Sequence, residues 1–424
     1  MASLLERMHP RSCTCGGGFI PKVRSNDGDS PDKKRSALHE RVAMLLNDIG
    51  PSSSRANGGG GGSNDGSPEK KSTIRKRRLT ATKSLCKLSN DRENRMPLLC
   101  TSSIDVLPVL LSCLQTSSSP DGKASKPSKL HEDEIEIRRL SCLILNNLST
   151  PVENKAVMSL GEHSQDLLTT LMEVIETASP ESHLCVICLY NLSFLDDAVD
   201  VLLNFCPGQE TAEEPMKASG HTADDDESFG SPRSTSSTKI SHHRIGAKSI
   251  PCSPLSNGDD GCLALQNDRS LLRVLESMVR TYSPFLLSSV TSVEGEAVRW
   301  SVGLLCNFCK DTANNSSRIE MILQTELVSH VVTNFGKTPR PMNQWAENSI
   351  EEFSLVLLCH LVKVKAGRDA LSKTNVLGAI EPIIGKGGIH DHRAGVIRCA
   401  LMNGEEDVHA LSQWRAKIGS KSSF

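Results

Sequence analysis

Apolar positions recur along most of this chain with the spacing of a single helix face. Leu38, Val42, Leu45, Leu46 and Ile49 fall three or four apart and predict a helix over 36–49. Ile104, Leu107, Leu110, Leu111 and Leu114 make a second stripe, and Leu167, Leu168, Leu171, Val174 and Ile175 repeat it further on. Leu271, Leu272, Val274, Leu275 and Met278 follow the same rule, as do Leu327-Val328 to Phe335 and then Val376 to Ile384. Strand-like alternation does not occur at comparable length, so the expectation is an all-α fold.

Polar tracts divide these stripes. Residues 1–35 and 50–78 are rich in Gly, Ser, Asp and Lys and read as disordered, with Asn57 to Ser63 a flexible glycine linker. The helix over 36–49 between them reads either as docked on the folded body or as a partner-binding segment. Order is expected from Leu79. The repeating part would then span 79–206, with a loop insert at 116–130, and 263–418, the two pieces separated by a low-complexity insert at 207–262.

One phrase ties the helices together. Lys87-Leu88-Ser89 is followed by Glu93-Asn94-Arg95, and Asn147-Leu148-Ser149 is followed at the same offset by Glu153-Asn154-Lys155. Asn191-Leu192-Ser193, Asn307-Phe308-Cys309 and His360-Leu361-Val362 repeat the context, with Arg318 and Arg368 as the later basic residues. Each unit reads as three helices in about 40 residues, and none can bury its stripe alone, so neighbours must stack. Two segments carry a resemblance. Ala366-Gly367-Arg368-Asp369-Ala370-Leu371-Ser372, continued by Asn375-Val376-Leu377-Gly378-Ala379-Ile380, looks like the junction of the first two helices of an armadillo repeat. Glu296-Ala297-Val298-Arg299-Trp300-Ser301 to Asn307 looks like the third helix. The chain therefore resembles the armadillo family, which implies a right-handed α-solenoid of about five repeats. A HEAT-type or other irregular α-solenoid fits the same residues. Gly161 alone stands at the usual junction glycine, where Ser102, Thr325 and Asn375 stand in the other units.

The resemblance also implies a binding face. In the family the third helices line a concave groove whose polar ladder grips an extended peptide; here the ladder would be Lys87, Asn147, Asn191, Asn307 and His360, with Arg299 and Trp300 beside it. An asparagine amide can both donate to and accept from a peptide backbone. The competing reading is that these asparagines satisfy backbone groups where the third helix ends. Import receptors of the importin-alpha type pair each such Asn with a Trp four positions earlier; Leu143, Ile187 and Gly303 stand there instead, which disfavours recognition of nuclear-import signals.

Charge and cysteine content narrow the remaining classes. A formal net charge of −2 leaves only local patches for nucleic acid. The densest patch is Lys70, Lys71, Arg75, Lys76, Arg77 and Arg78, a candidate nuclear-import or nucleic-acid contact on what reads as exposed chain. Fifteen cysteines without a secretory leader suit reduced thiols in the nucleus or cytoplasm. The pairs Cys185/Cys188 and Cys306/Cys309 suggest zinc or thiol-redox chemistry, but they lie in apolar helical phrases that read as core. Catalytic motifs and phosphate-cradling loops are not found, and neither a cofactor nor a membrane span is expected. Ser30, Ser67, Ser119, Ser231 and Ser253 precede prolines and are candidate phosphorylation sites; charge added at Ser67 would mask the basic cluster. The expectation is a non-enzymatic scaffold or adaptor for a peptide or protein. The alternatives are a nuclear nucleic-acid-associated factor using 70–78 and a metal or redox protein using the Cys pairs.

Overall fold

The structure, a computed structural model, describes residues 31–50, 68–100, 105–115, 132–207, 270–282, 292–310, 315–335, 345 and 347–403. The inserts read as disordered, the candidate sites Ser30, Ser67, Ser119, Ser231 and Ser253, and Ile104 of the second stripe lie outside them. Among the described residues the protein is all-helical, with 17 α-helices, one 3₁₀ turn and no strand.

The helices are α1 (Pro31–Ile49), α2 (Pro68–Asn90), α3 (Arg92–Cys100), α4 (Val106–Leu114), α5 (Glu132–Leu148), α6 (Val152–Leu160), α7 (Ser164–Glu176), α8 (Ser182–Leu192) and α9 (Asp196–Asn204). They continue as α10 (Leu271–Tyr282), α11 (Val293–Phe308), α12 (Asn315–Leu323), α13 (Leu327–Phe335), α14 (Ile350–Leu361), α15 (Lys365–Leu371), α16 (Val376–Ile380) and α17 (Gly388–Asn403). Local chemistry sets several starts. Ser292 Oγ accepts from Gly295 N at 3.0 Å at the head of α11, and Ser349 Oγ accepts from Glu352 N at 3.2 Å at the head of α14. Glu132, Asp133 and Glu134 open α5, where negative charge favours the helix dipole. Between α6 and α7 the chain turns at Gly161, where a Cβ would stand 2.3 Å from Val157 O, so only glycine fits.

Packing follows a period of three helices. Each of α2, α5, α8, α11 and α14, which close the three-helix units and make up the third series, packs on the next of its kind, ending at α17. A second series, α1, α4, α7, α10, α13 and α16, does the same. In the remaining series α3 packs on α6, α6 on α9, and α12 on α15. Each helix buries its apolar stripe between neighbours: α4 through Val106, Leu107, Leu110, Leu111 and Leu114, α7 through Leu167, Leu168, Leu171, Val174 and Ile175. Together they form one continuous hydrophobic core.

The N-terminal region departs from the sequence reading. Helix α1 begins at Pro31, and it docks on α2 and α4 in the place that second-series helices hold elsewhere. Val42, Leu46 and Ile49 are buried there. Helix α2 begins at Pro68, so the basic cluster belongs to its first turns and not to an extended linker. The reason is physical: Arg78 donates from Nε to Ile49 O at 3.0 Å and from Nη1 to Glu134 at 3.1 Å, and Arg77 pairs with Asp48. These arginines tie α2 to α1 and α5, and the helix extends back through them.

Candidate functional site

The recurring phrase forms two separate devices. The first is a staple between successive third-series helices. The hydroxyls of Ser89, Ser149 and Ser193 donate to Cys86 O, Asn146 O and Tyr190 O at 2.8–2.9 Å. Each also accepts from the asparagine of the next triplet. Asn147 Nδ2 donates to Ser89 Oγ at 3.0 Å, Asn191 to Ser149 at 3.0 Å and Asn307 to Ser193 at 2.9 Å. Asn147 also reaches Asn90 Oδ1 at 2.8 Å. The triplet asparagines thus spend their donors on the preceding helix of the series and do not cap their own helix. Among the described residues no hydrogen bond uses their Oδ1 atoms.

The second device caps helix ends. Asn94 Nδ2 donates to Leu88 O at 3.3 Å, and Asn154 Nδ2 to Leu148 O and Arg95 O at 2.9 Å. Arg95 reaches Ser89 O at 3.0 Å, and Arg368 reaches Val362 O at 3.0 Å. Carbonyls left open at the C-termini of α2, α5 and α14 are thus satisfied by an asparagine or arginine that follows. Arg318, placed later in its unit, instead donates to Asp200 Oδ1 at 2.9 Å on α9.

The staples put the C-terminal ends of α2, α5, α8 and α11 side by side and align these helices in register. Counting back four from the triplet gives Lys83, Leu143, Ile187, Gly303 and, on α14, Val356; counting back eight gives Leu79, Arg139, His183, Arg299 and Glu352. Except for buried Gly303, these are exposed or half-buried, and they form one stripe crossing the series, with Asn147 and His360 at its triplet row. Lys87 stands exposed at the α2 end; Asn191 and Asn307 are 8% and 5% exposed. His183 senses both Arg139 and Glu296 across this stripe, though burial is what chiefly lowers its pKa.

Trp300 is not on the surface as the sequence suggested. It is 1% exposed and donates from Nε1 to Glu296 at 3.1 Å, while Arg299 pairs with the same carboxylate and lies 4.8 Å above the indole. Tyr190 meets Trp300 at 4.9 Å between ring centroids, Phe194 at 5.0 Å and Phe353 at 6.0 Å. Gly303 makes room for this cluster: a Cβ would stand 3.0 Å from the Phe353 ring and 3.1 Å from Tyr190. Burial pushes the Tyr190 hydroxyl up to about 12, with Cys306 and Glu352 adding to the effect.

Sequence reasoning missed Tyr190, Phe194, Phe353 and Lys310. Phe194 and Lys310 stand at the same place, three residues past the triplet start, and in a chain with only 3% aromatics that was the available signal. Lys155 Nζ lies 4.8 Å and Lys310 Nζ 4.4 Å from the centroid of the half-exposed Phe194 ring. Burial, then the neighbouring Lys310 charge, lowers Lys155 to about 8.

The other candidate sites change character. Arg77 and Arg78 are engaged in helix packing, Arg75 is half-buried and Lys76 is exposed; Lys70 and Lys71 are helical in backbone, with side chains outside the described residues. Cys185, Cys188 and Cys309 are fully buried and Cys306 is 6% exposed. Cys185 shares a 3.8 Å contact with Cys142, and that contact together with burial raises its pKa; burial raises Cys188 to about 12. Such thiols stay protonated and make poor ligands or nucleophiles. Among the described residues no three His, Cys, Asp or Glu side chains converge as a metal site, and no helix is long and apolar enough to cross a membrane.

A scan against protein-family models finds no match, and a search of curated proteins likewise finds no significant one.

Proposed function

We propose that the chain is a right-handed α-solenoid of about five armadillo-like repeats, opened by the α1–α2 pair, that acts as a non-enzymatic scaffold binding an extended peptide along its third-series helices. The period-three packing supports the architecture, since each repeat then buries its stripe only against the next. The observation that carries the binding reading is the registered stripe. Helices held in step by the staples present like positions at regular intervals, as an extended chain requires. The staples change the expected chemistry. With Nδ2 committed, each asparagine offers its Oδ1 acceptor, so a bound peptide would donate its backbone N–H to the ladder. Bonds of this kind contribute about 1 kcal/mol each, and selectivity would come from Arg139, His183, Arg299 and His360.

The nucleic-acid reading is less favoured on one observation. Arg77 and Arg78 hold α1 and α5, so these two cations of the cluster already have carboxylate or carbonyl partners within the fold.

A random 16-residue displayed-peptide library panned on the full chain tests the proposal. Selected peptides should lose at least tenfold in affinity for a Lys87→Glu, Arg139→Glu, Arg299→Glu, His360→Glu variant. They should keep their affinity for a Glu173→Lys, Ser277→Lys, Thr333→Lys variant, altered on α7, α10 and α13. Equal retention by both variants, with circular dichroism confirming that both fold, overturns the binding face.

A further inference from the structure

Helices α3, α6, α9, α12 and α15 hold one position of the repeat and share one stacking duty, yet their outward residues differ. Helix α9 exposes Asp196, Asp197 and Asn204, α12 exposes Ser316, Ser317 and Glu320, and α15 exposes Lys365 and Asp369. Helix α6 exposes Val152, Glu153, Ala156, Val157 and Leu160 instead. Val152, Ala156 and Leu160 are spaced four apart and Val157 stands beside them, so they share one face of the helix. The opposite face carries the buried Asn154, Lys155, Met158 and Ser159.

The apolar surface continues on both sides of α6. Asn154 Nδ2 donates to Arg95 O at 2.9 Å, which sets α6 against the α3 residue preceding the exposed Met96. Toward α9, Lys155 Nζ lies 4.8 Å from the ring centroid of the exposed Phe194. Five of the twelve large apolar side chains exposed among the described residues thus gather on and beside one nine-residue helix. Stacking does not require them, since α9, α12 and α15 expose polar residues in the same place. A gathered apolar surface of this kind marks a place that another molecule covers.

Charge selects the occupant. The first turns of α3, α6 and α9 carry the exposed Glu93, Glu153 and Asp197, in register along the series, and no salt bridge among the described residues engages them. Arg92 is the exposed basic residue of these turns. An anionic lipid surface would meet this row of carboxylates with repulsion. A helix with Lys or Arg flanking an apolar stripe meets both features. Its apolar residues recur every three or four positions, which matches the spacing of Val152, Ala156 and Leu160. We infer that the outward face of α6, with Met96 and Phe194 beside it, docks a basic amphipathic helix of a partner protein. That helix lies along α6 and turns its cations toward Glu93, Glu153 and Asp197. The surface is distinct from the third-series stripe and does not depend on the peptide-binding reading.

The test uses a fluorescein-labelled model helix of leucine and lysine, about 14 residues long so that it spans α6. Its counterpart carries glutamate at every lysine, and anisotropy is measured on the full chain. The lysine peptide should bind, and the glutamate peptide should bind about tenfold more weakly. Val157→Gln/Leu160→Gln should weaken the lysine peptide about tenfold. Met44→Gln/Ile389→Gln, which removes two exposed apolar side chains elsewhere, should leave it unchanged. Glu93→Gln/Glu153→Gln/Asp197→Asn should cost about threefold at low salt. All these substitutions fall at exposed positions, and circular dichroism checks that each variant folds. Absence of binding, or equal loss in the two apolar variants, overturns the docking face. Equal binding of the two peptides overturns the basic occupant. The chain is also tested by sedimentation and with phosphatidylcholine vesicles. Self-association or vesicle binding that Val157→Gln/Leu160→Gln abolishes would assign the face to a second copy or to lipid, and the partner helix falls.

Discussion

At the joint between α2 and α5, Asn147 Nδ2 donates to Ser89 Oγ at 3.0 Å; at the joint between α8 and α11, Asn307 makes the same bond to Ser193 at 2.9 Å. Around the first joint the surroundings are polar: Asn90 takes a second bond from Asn147, and Arg95 donates to Ser89 O and Asn90 O. Around the second they are aromatic, with Tyr190, Trp300 and Phe353 in mutual contact, Phe194 against Tyr190, and two lysines on the Phe194 ring. One bond is used at both joints, so it belongs to the stacking rule. What differs between them marks where the stack has been adapted. The aromatic joint is the adapted one, because an exposed Phe194 ring with two lysines on it does nothing for stacking that Leu and Asn do not already do elsewhere.

The comparison breaks most readily at Trp300. Trp300→Ala removes the ring between Tyr190 and Phe353 and leaves the Glu296–Arg299 pair beside a cavity. The expected cost is about 3–5 kcal/mol, measured by urea unfolding. Leu85→Ala, equally buried beside the polar joint, should cost about 2–5 kcal/mol. A Trp300→Ala cost below 1 kcal/mol would mean that the aromatic joint is not a packing centre.

The helical periods were legible from the first because the apolar stripes are long and regular, and the stacking was legible because separate parts of the phrase keep step. The placement of Trp300 was not. Its helix is buried on nearly every side, so periodicity gives no free face, and only Gly303 hints that bulky neighbours close over it. The start of α2 was hidden by composition. Lys- and Arg-rich turns read as solvated chain until Asp48 and Glu134 arrive from helices distant in sequence. The asparagines were recognised as important, but their partner, the Ser of the previous triplet, lies 42 to 114 residues away along the chain. No local pattern announces that pairing.

A smaller effect separates architecture from adaptation within the staples. Asn191→Ala and Asn307→Ala should each cost about 1 kcal/mol, since a buried donor–acceptor pair is lost while the serine keeps its own carbonyl. Asn147→Ala should cost less, because Asn147 is the more exposed and water replaces its partners. Equal costs at all three, measured by chemical unfolding, would argue that exposure is irrelevant to the staple. A cost above 3 kcal/mol would show that the staples nucleate the stack and do more than align it.

The smallest expected effect has the sharpest dependence on conditions. Lys155 has a folded-state pKa of about 8 against an ordinary value of 10.5, lowered first by burial and then by Lys310. A base whose pKa falls on folding opposes the fold while it is charged. That opposition is fully present below pH 8 and fades as pH rises toward 10.5, where the unfolded chain also loses its proton. Lys155→Met should therefore raise stability at pH 7 by at most about 1 kcal/mol, or roughly 2–4 °C in Tm, because the lost ring contact offsets part of the gain. The advantage of the variant over the parent should shrink through the window from 8 to 10.5. The same substitution at Arg95, which occupies the corresponding place at the polar joint and caps Ser89 O and Asn90 O, should destabilise at every pH in that window. If Lys155→Met behaves like Arg95→Met, the lysine is only another helix cap; opposite signs would mean that the aromatic joint keeps a charge at the expense of its own stability.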